Sequence, residues 1–479
     1  MVFPADSSIV DDAPPQKVRE ARREFVVRVL IAAVLGFATL VGWSFASPIG
    51  ASPDDNFHLV SIWCAPGERP GLCETTDNPD ERSVLAVLAN SSMCYAFQPE
   101  HNGNCDAPPT GMTTTGHGNF IGLYPPVYYR VMSIFSTADV QTSVLTMRIF
   151  NSLLAVTLIT STYLLLDRRL RSPLLWSILL TAIPMGAFLI GSVNPNGWAI
   201  VSACTMWAAM LGFFRARPGA RQIGLGAIAI IAAVMGAGSR GDSAAYTAFG
   251  ALIVAILAFT RTRSYLFMLL LPTAVIAMGA AFYLSSNQTG DAVNGDMAGG
   301  PGQKLSFLPA LIHTVLNIPQ LWVGNFGVQA LAWNDVKMPA IVWFTTMVLY
   351  VGIAFWSLSY KRDIRMTVAV TLAAIAMVMV PSWVIAQNGV EVGVLVQPRY
   401  VLPLQALFMG VLLYGAADLR SGLRRVQRWL IVVGLGAANA LALYLTYRRF
   451  LTGTDYAGVD LNKSIEWWWQ GVPVPPGVF

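Results

Sequence analysis

The chain has 479 residues, of which 55% are hydrophobic and only 12% charged, with a formal net charge of +5 and a mean hydropathy of +0.55. Soluble domains carry nearer a quarter charged residues, and a single water-facing core does not grow to this size, so a soluble globular protein is excluded. Its Lys and Arg residues cluster in short loops beside apolar runs, which is the orientation signal of a membrane protein and calls for no nucleic-acid partner.

The composition predicts an all-α polytopic membrane protein of about eleven transmembrane helices, each built on about 20 apolar residues. Residues 1–24 form a polar tail ending in Lys17, Arg19, Arg22 and Arg23. Basic residues just before an apolar run predict a cytoplasmic N-terminus. The first span is 25–47, too long for the core of a signal peptide and read here as an uncleaved helix. Residues 48–142 make a large extracytoplasmic loop. Four of the five cysteines lie there (Cys64, Cys73, Cys94 and Cys105), which suggests two disulfides with the pairing open and an oxidising side of the membrane. The end of that loop, Phe120 to Arg130, reads as an interfacial helix.

Further spans are expected at 143–166, 173–192, 197–214, 222–238, 244–260 and 265–284, which make transmembrane helices 2–7 within 143–284. The segment 285–338 is a second outer loop. Its start is rich in Gly, Asn and Asp, and Leu305, Leu308, Leu311, Ile312, Val315 and Leu316 then recur at helical spacing, as in an amphipathic surface helix. Helices 8–11 fall at 339–359, 366–386, 401–417 and 429–447 within 339–447, and 448–479 is an extracytoplasmic tail. With the N-terminus inside, the loops 167–171, 215–221, 261–263, 361–365 and 418–428 are cytoplasmic, and each carries at least two Arg or Lys. Arg448 and Arg449 are the exception on the outer side.

The unusual polar residues then gather on one face of the membrane. They are Asp54, Asp55 and His58, the turn at Asn194, the Ser239-Arg240-Gly241-Asp242 turn, and Gln397-Pro398-Arg399-Tyr400. Two readings stand for Ser52-Pro53-Asp54-Asp55. Ser52 can cap a helix with Pro53 in its first position and acids complementing the dipole. Alternatively a carboxylate acts as general base, with His58 one turn on to orient it, bind phosphate or help hold a metal. Asn194-Pro195-Asn196-Gly197 suits a tight turn. Arg240 is read as part of a solvated turn or as a phosphate ligand, and Arg399 as a snorkelling side chain or an anchor for an anionic headgroup. Trp467-Trp468-Trp469 reads as an interfacial anchor before a sugar-stacking platform, and nothing singles out His117 or His313. No GxGxxG, GxxxxGK[ST] or GxSxG occurs, so no nucleotide site or hydrolase elbow is visible.

Taken together, these segments resemble the GT-C class of integral membrane glycosyltransferases, and more closely a bacterial family of polytopic proteins known as a domain of unknown function. The likeness rests on Asp54-Asp55-Asn56-Phe57-His58 after the first helix and on the outer loop running through Leu123-Tyr124-Pro125-Pro126-Val127-Tyr128-Tyr129 into Met147-Arg148-Ile149-Phe150-Asn151. Its third element is Gln397-Pro398-Arg399-Tyr400-Val401-Leu402-Pro403. The family more often has Asp-Glu in the first motif, so which of Asp54 and Asp55 is catalytic stays open. The resemblance implies a GT-C-like fold in the plasma membrane. It implies transfer of a sugar from a polyprenyl-phosphate-linked donor to a glycan or lipid acceptor of the cell envelope, on the extracytoplasmic face and with inversion. Asp54 would be the base, Arg399 and Arg240 would meet the lipid phosphate, and His58, Asn194, Gln397 and Tyr400 would complete the substrate site. A divalent cation at Asp54, Asp55 and His58 is an alternative, and none is assigned. A flippase for lipid-linked glycans and a non-catalytic scaffold are the rival readings.

Overall fold

A computed structural model describes residues 15–104, 109–287, 306–416 and 422–454, with 458–463, 466–469, 471 and 477 of the C-terminal segment. It is mostly helical. In chain order the helices are α1 (Pro15–Phe45), α2 (Asp55–Cys64), α3 (Ala86–Asn90), α4 (Val127–Met132), α5 (Val140–Leu165), α6 (Arg168–Thr181) and α7 (Pro184–Ile190). Then come α8 (Pro195–Arg215), α9 (Ala220–Ala237), α10 (Gly241–Ala258), α11 (Arg263–Met268), α12 (Leu270–Ser285), α13 (Phe307–Asn317) and α14 (Pro319–Val323). The last four are α15 (Ala340–Leu358), α16 (Ile364–Asn388), α17 (Pro398–Tyr414) and α18 (Arg425–Thr452).

Among the described residues, nine helices are long and apolar enough to cross a membrane, or up to eleven if each of two bent pairs counts as one span. The expected count therefore agrees, but its membership changes. The span expected at 173–192 is broken: α6 and α7 meet at 93°, because Pro184 opens α7 and a proline holds the preceding residue out of helical geometry. The span expected at 401–417 is a helix of 17 residues, Pro398–Tyr414, at the short end of what crosses a bilayer. Conversely, α13 continues through Pro319–Val328 with a bend of 40° and passes the same test as a pair.

The bundle is centred on α8 and α17, whose residues are buried nearly throughout. Small residues let them approach closely. Gly410 is one such contact, since a Cβ there would lie 2.5 Å from the Trp207 ring. Arginines gather at the end where α5, α8 and α10 finish. Arg215 pairs with Asp167 at 2.8 Å, and Arg171, Arg221 and Arg365 donate to the carbonyls of Tyr163, Leu165 and Phe259. These guanidinium groups satisfy carbonyls that a helix end leaves unpaired.

The opposite end carries the loop 48–142, which is not all-helical as expected. A three-stranded antiparallel sheet of β1 (Cys73–Thr75), β2 (Arg82–Leu85) and β3 (Met112–Thr115) lies within it. Cys64 and Cys73 form a disulfide that ties α2 to β1. Cys94 is also disulfide-bonded, while Cys105 lies outside the described residues. The expected interfacial helix is only the short α4, which starts after Pro125-Pro126 and buries Tyr128 and Tyr129.

One expectation at the C-terminal end is overturned by packing. Trp468 and Trp469 are buried, not an interfacial anchor; the Trp469 indole donates to the Phe45 carbonyl at 3.1 Å. Arg449 is buried against Asp335 at 2.8 Å and donates to the carbonyls of Tyr95, Gln98 and His101. Arg449→Ala should therefore destabilise the protein by about 3–5 kcal/mol, because it strands a buried carboxylate. Thermal unfolding in detergent would measure this, and an Arg449→Ala/Asp335→Ala pair less damaged than the single variant would identify the stranded charge as the cause.

Candidate active site

The loop that follows α1 delivers Asp54 to the start of α2. Asp54 adopts φ 60°, ψ 21°, a left-handed conformation, and its side chain makes no cap hydrogen bond. For a residue other than glycine this costs on the order of 1 kcal/mol, and such strain concentrates at functional sites. The simple cap predicted for Ser52 is thus not what forms. Ser52 instead accepts a hydrogen bond from Asn194 and donates its backbone N–H to Asp55, and the helix begins two residues later than a cap there would require. The left-handed turn swings Asp54 away from the helix end and toward the bundle.

There it meets Arg399, at the start of α17. An Nη2 of Arg399 lies 2.8 Å from Asp54 Oδ2; the Arg399 side chain is 7% exposed and that of Asp54 41%. The same guanidinium donates to the Tyr400 hydroxyl at 3.0 Å and to Gln397. Arg240, at the start of α10, packs over the Tyr400 ring at 4.1 Å and faces Tyr124 at 5.3 Å, while Asp242 holds it from the other side at 2.9 Å. Tyr400 thus has two guanidinium groups against its ring, with Arg399 4.8 Å from the centroid. Burial raises the Asp54 carboxyl, but the Arg399 and Arg240 guanidinium groups overcome that, and its pKa ends below the usual carboxylate range.

His58 is fully buried. Its Nδ1 shares a hydrogen bond of 3.0 Å with the Tyr129 hydroxyl, and its ring lies 5.8 Å from that of Tyr124. Burial pushes its pKa down to about 3, against the pull of Asp54, so this imidazole is neutral at physiological pH. Three buried nitrogens of the cluster have no hydrogen-bond partner among the described residues: His58 Nε2, Arg240 Nη1 and Arg399 Nε. Buried unsatisfied polar groups of this kind are costly, and at least the two from arginine are donors suited to an anion.

Asp55 points elsewhere. It is buried beside Arg148, 3.9 Å away, and accepts from the Ser52 N–H. Arg148 in turn donates to the carbonyls of Ser44, Ser47 and Pro48, so the pair fastens the exit of α1. Asn194 serves the same loop, donating to the Pro53 carbonyl at 2.9 Å while its Oδ1 caps α8. Asp54, His58, Arg240, Gln397, Arg399 and Tyr400 are thus brought together, and Asp55 and Asn194 support the loop that holds them. Asp54, Asp55 and His58 do not converge as a metal set; no group of three His, Cys, Asp or Glu suited to one occurs among the described residues. The sequence reading passed over Tyr124 and Tyr129 as site residues, and over His117, whose ring lies 5.3 Å from Phe57. The Leu123–Tyr129 motif was the available signal for the tyrosines.

Burial raises Asp55 to about pKa 7, against Arg148 and the backbone N–H groups of Ser52 and Gly50. Its unfolded-state value is near 4, so between about pH 4 and 7 the folded state holds the extra proton and stability falls as pH rises. Asp55→Asn cannot ionise. Its melting temperature relative to wild type should therefore climb by about 3 °C between pH 5 and 8; a difference independent of pH would remove that assignment.

A family model described as "Predicted membrane protein (DUF2142)" matches residues 37–408. No curated protein and no solved structure matches the chain. The match covers most of the sequence, including the last turns of α1, the Asp54 loop and the start of α17, and the chain belongs to that family.

Proposed function

We propose that this member of the predicted membrane protein family (DUF2142) is a glycosyltransferase of GT-C type. On this reading it moves a sugar from a polyprenyl-phosphate-linked donor to a cell-envelope acceptor on the extracytoplasmic face of the plasma membrane. The observation that carries the reading is the half-exposed Asp54 carboxylate beside two buried guanidinium groups, Arg399 and Arg240, with unsatisfied donors between helices. A base next to an anion site is what displacement at a sugar phosphate requires. The arginine-rich opposite end of the bundle supports the orientation, since positive residues favour the cytoplasmic side.

In the proposed reaction, the donor phosphate enters against Arg399 and Arg240 and competes with Asp54 for the Arg399 fork. Bidentate guanidinium groups favour phosphate. As Asp54 loses that partner, its proton affinity rises toward what a base needs. The acceptor hydroxyl gives its proton to Asp54, and its oxygen bonds to the anomeric carbon from the face opposite the phosphate. The bond from that carbon to the phosphate oxygen breaks, and the electron pair leaves with the lipid phosphate, whose charge the arginines stabilise. Neutral His58 braces Tyr129 and the start of α2 without entering the proton transfer.

Reconstitution into liposomes with a polyprenyl-phosphate sugar and an acceptor tests the reading. A new glycosidic bond is the expected product. Movement of the unmodified donor between leaflets, with no bond formed, would overturn it in favour of a flippase.

A further inference from the structure

Beside the charged cluster lies a cavity of about 330 Å³ that the proposed reaction has not used. Its volume is at the low end of small-molecule sites, about 300–1,000 Å³, and fits a sugar ring or a short saccharide. Cys64 and Cys73, joined by their disulfide, line it together with Phe120 and Tyr129. Glu68, Arg82 and Arg130 bring charged groups to it. None of these three makes an ion pair among the described residues; the Arg82 guanidinium lies 5.2 Å over the Phe120 ring, and Arg130 is exposed. Aromatic faces combined with acid, guanidinium and hydroxyl groups are the chemistry that recognises a saccharide: rings stack on its C–H face, and polar groups take its hydroxyls.

The cavity and the charged cluster share a wall. Tyr129 lines the cavity, and its hydroxyl is bonded to His58, one helical turn from Asp54. The backbone between them is pinned. The Asn119 amide bonds both ways to the Tyr124 backbone, at 3.0 and 2.8 Å, and the Asn119 N–H donates to Ser61 at 2.9 Å. The segment 119–129 therefore offers Phe120 and Tyr129 to the cavity and Tyr124 to Arg240.

We propose that this cavity is a saccharide-binding subsite, and, resting on the transfer reading above, that it holds the sugar end of the acceptor while Arg240 and Arg399 hold the phosphate of the donor.

The test uses the full chain in lipid nanodiscs with two probes, namely farnesyl phosphate and a panel of methyl glycosides of glucose, mannose, galactose and arabinose. Saturation-transfer NMR reads saccharide contact. Phe120→Leu and Arg130→Ala should weaken the best glycoside by about tenfold or more and leave farnesyl phosphate binding unchanged, whereas Arg399→Ala should do the reverse. Arg130 is exposed, so its variant will fold; an unshifted melting curve checks Phe120→Leu. Glycoside binding that ignores both cavity variants overturns the subsite, as does the absence of contact from every glycoside. Because binding is read without turnover, cavity-dependent glycoside binding together with full transfer by Asp54→Asn would leave the subsite standing and remove the assignment of the base.

Discussion

Replacing Asp54 by Asn is expected to reduce sugar transfer by about 10²–10⁴-fold, the usual contribution of a positioned general base, while expression and folding persist. The substitution is gentle on structure for two reasons. Asn tolerates the left-handed conformation that Asp54 adopts, and its carbonyl can still accept from Arg399. What it cannot do is take a proton. Radiolabelled transfer in liposomes, with a melting curve as control, separates the two effects. Full activity in a folded Asp54→Asn protein would sink the assignment; Asp55 is not a ready substitute, because it is buried against Arg148 on the far side of the loop.

Removing the guanidinium should be nearly as damaging. Arg399→Ala is expected to lower kcat by about 10²–10³-fold, as for loss of one preorganised donor at a developing negative charge. It carries a second signature that a merely structural role would not give. Arg399 is the largest of the influences holding the Asp54 pKa down against burial, so its removal should move the acid limb of kcat/KM to higher pH, since that profile reports the free enzyme. His58, with its pKa pushed down to about 3, contributes no limb near neutrality. Arg399→Lys should recover only part of the loss, because a single ammonium cannot reach Asp54, Gln397 and Tyr400 together as the fork does. An Arg399→Ala enzyme with unchanged rate and pH profile would show that the phosphate is held elsewhere.

Much of this was legible without coordinates, for a physical reason. A bilayer demands long apolar runs whose backbone is satisfied internally, so hydropathy alone located most helices within a few residues, as at Val140–Leu165 and Ala340–Leu358. The errors fall where that demand relaxes. Apolar residues on both sides of Pro184 hide the 93° break between α6 and α7, because hydropathy registers composition and not direction. The small sheet at 73–115 escaped notice because its strands are three or four residues long, too short for an alternating pattern to stand out.

At the site, sequence supplied the residue types and tertiary structure supplied their partners. Asp54 and Arg399 are 345 positions apart, and nothing local to either predicts the other. The adjacent acids are a sharper case. Asp54 and Asp55 are chemically alike and neighbours, yet one left-handed backbone step turns the first to Arg399 and leaves the second buried with Arg148. Their proton affinities then shift in opposite directions. By itself the sequence determined a polytopic helical protein with its reactive-looking polar groups at helix ends, because burial of apolar surface in lipid is written residue by residue. Which acid is free to react, and which arginines face it, was decided only by the packing of α2, α10 and α17, because charge partners and desolvation depend on contacts between segments distant in the chain.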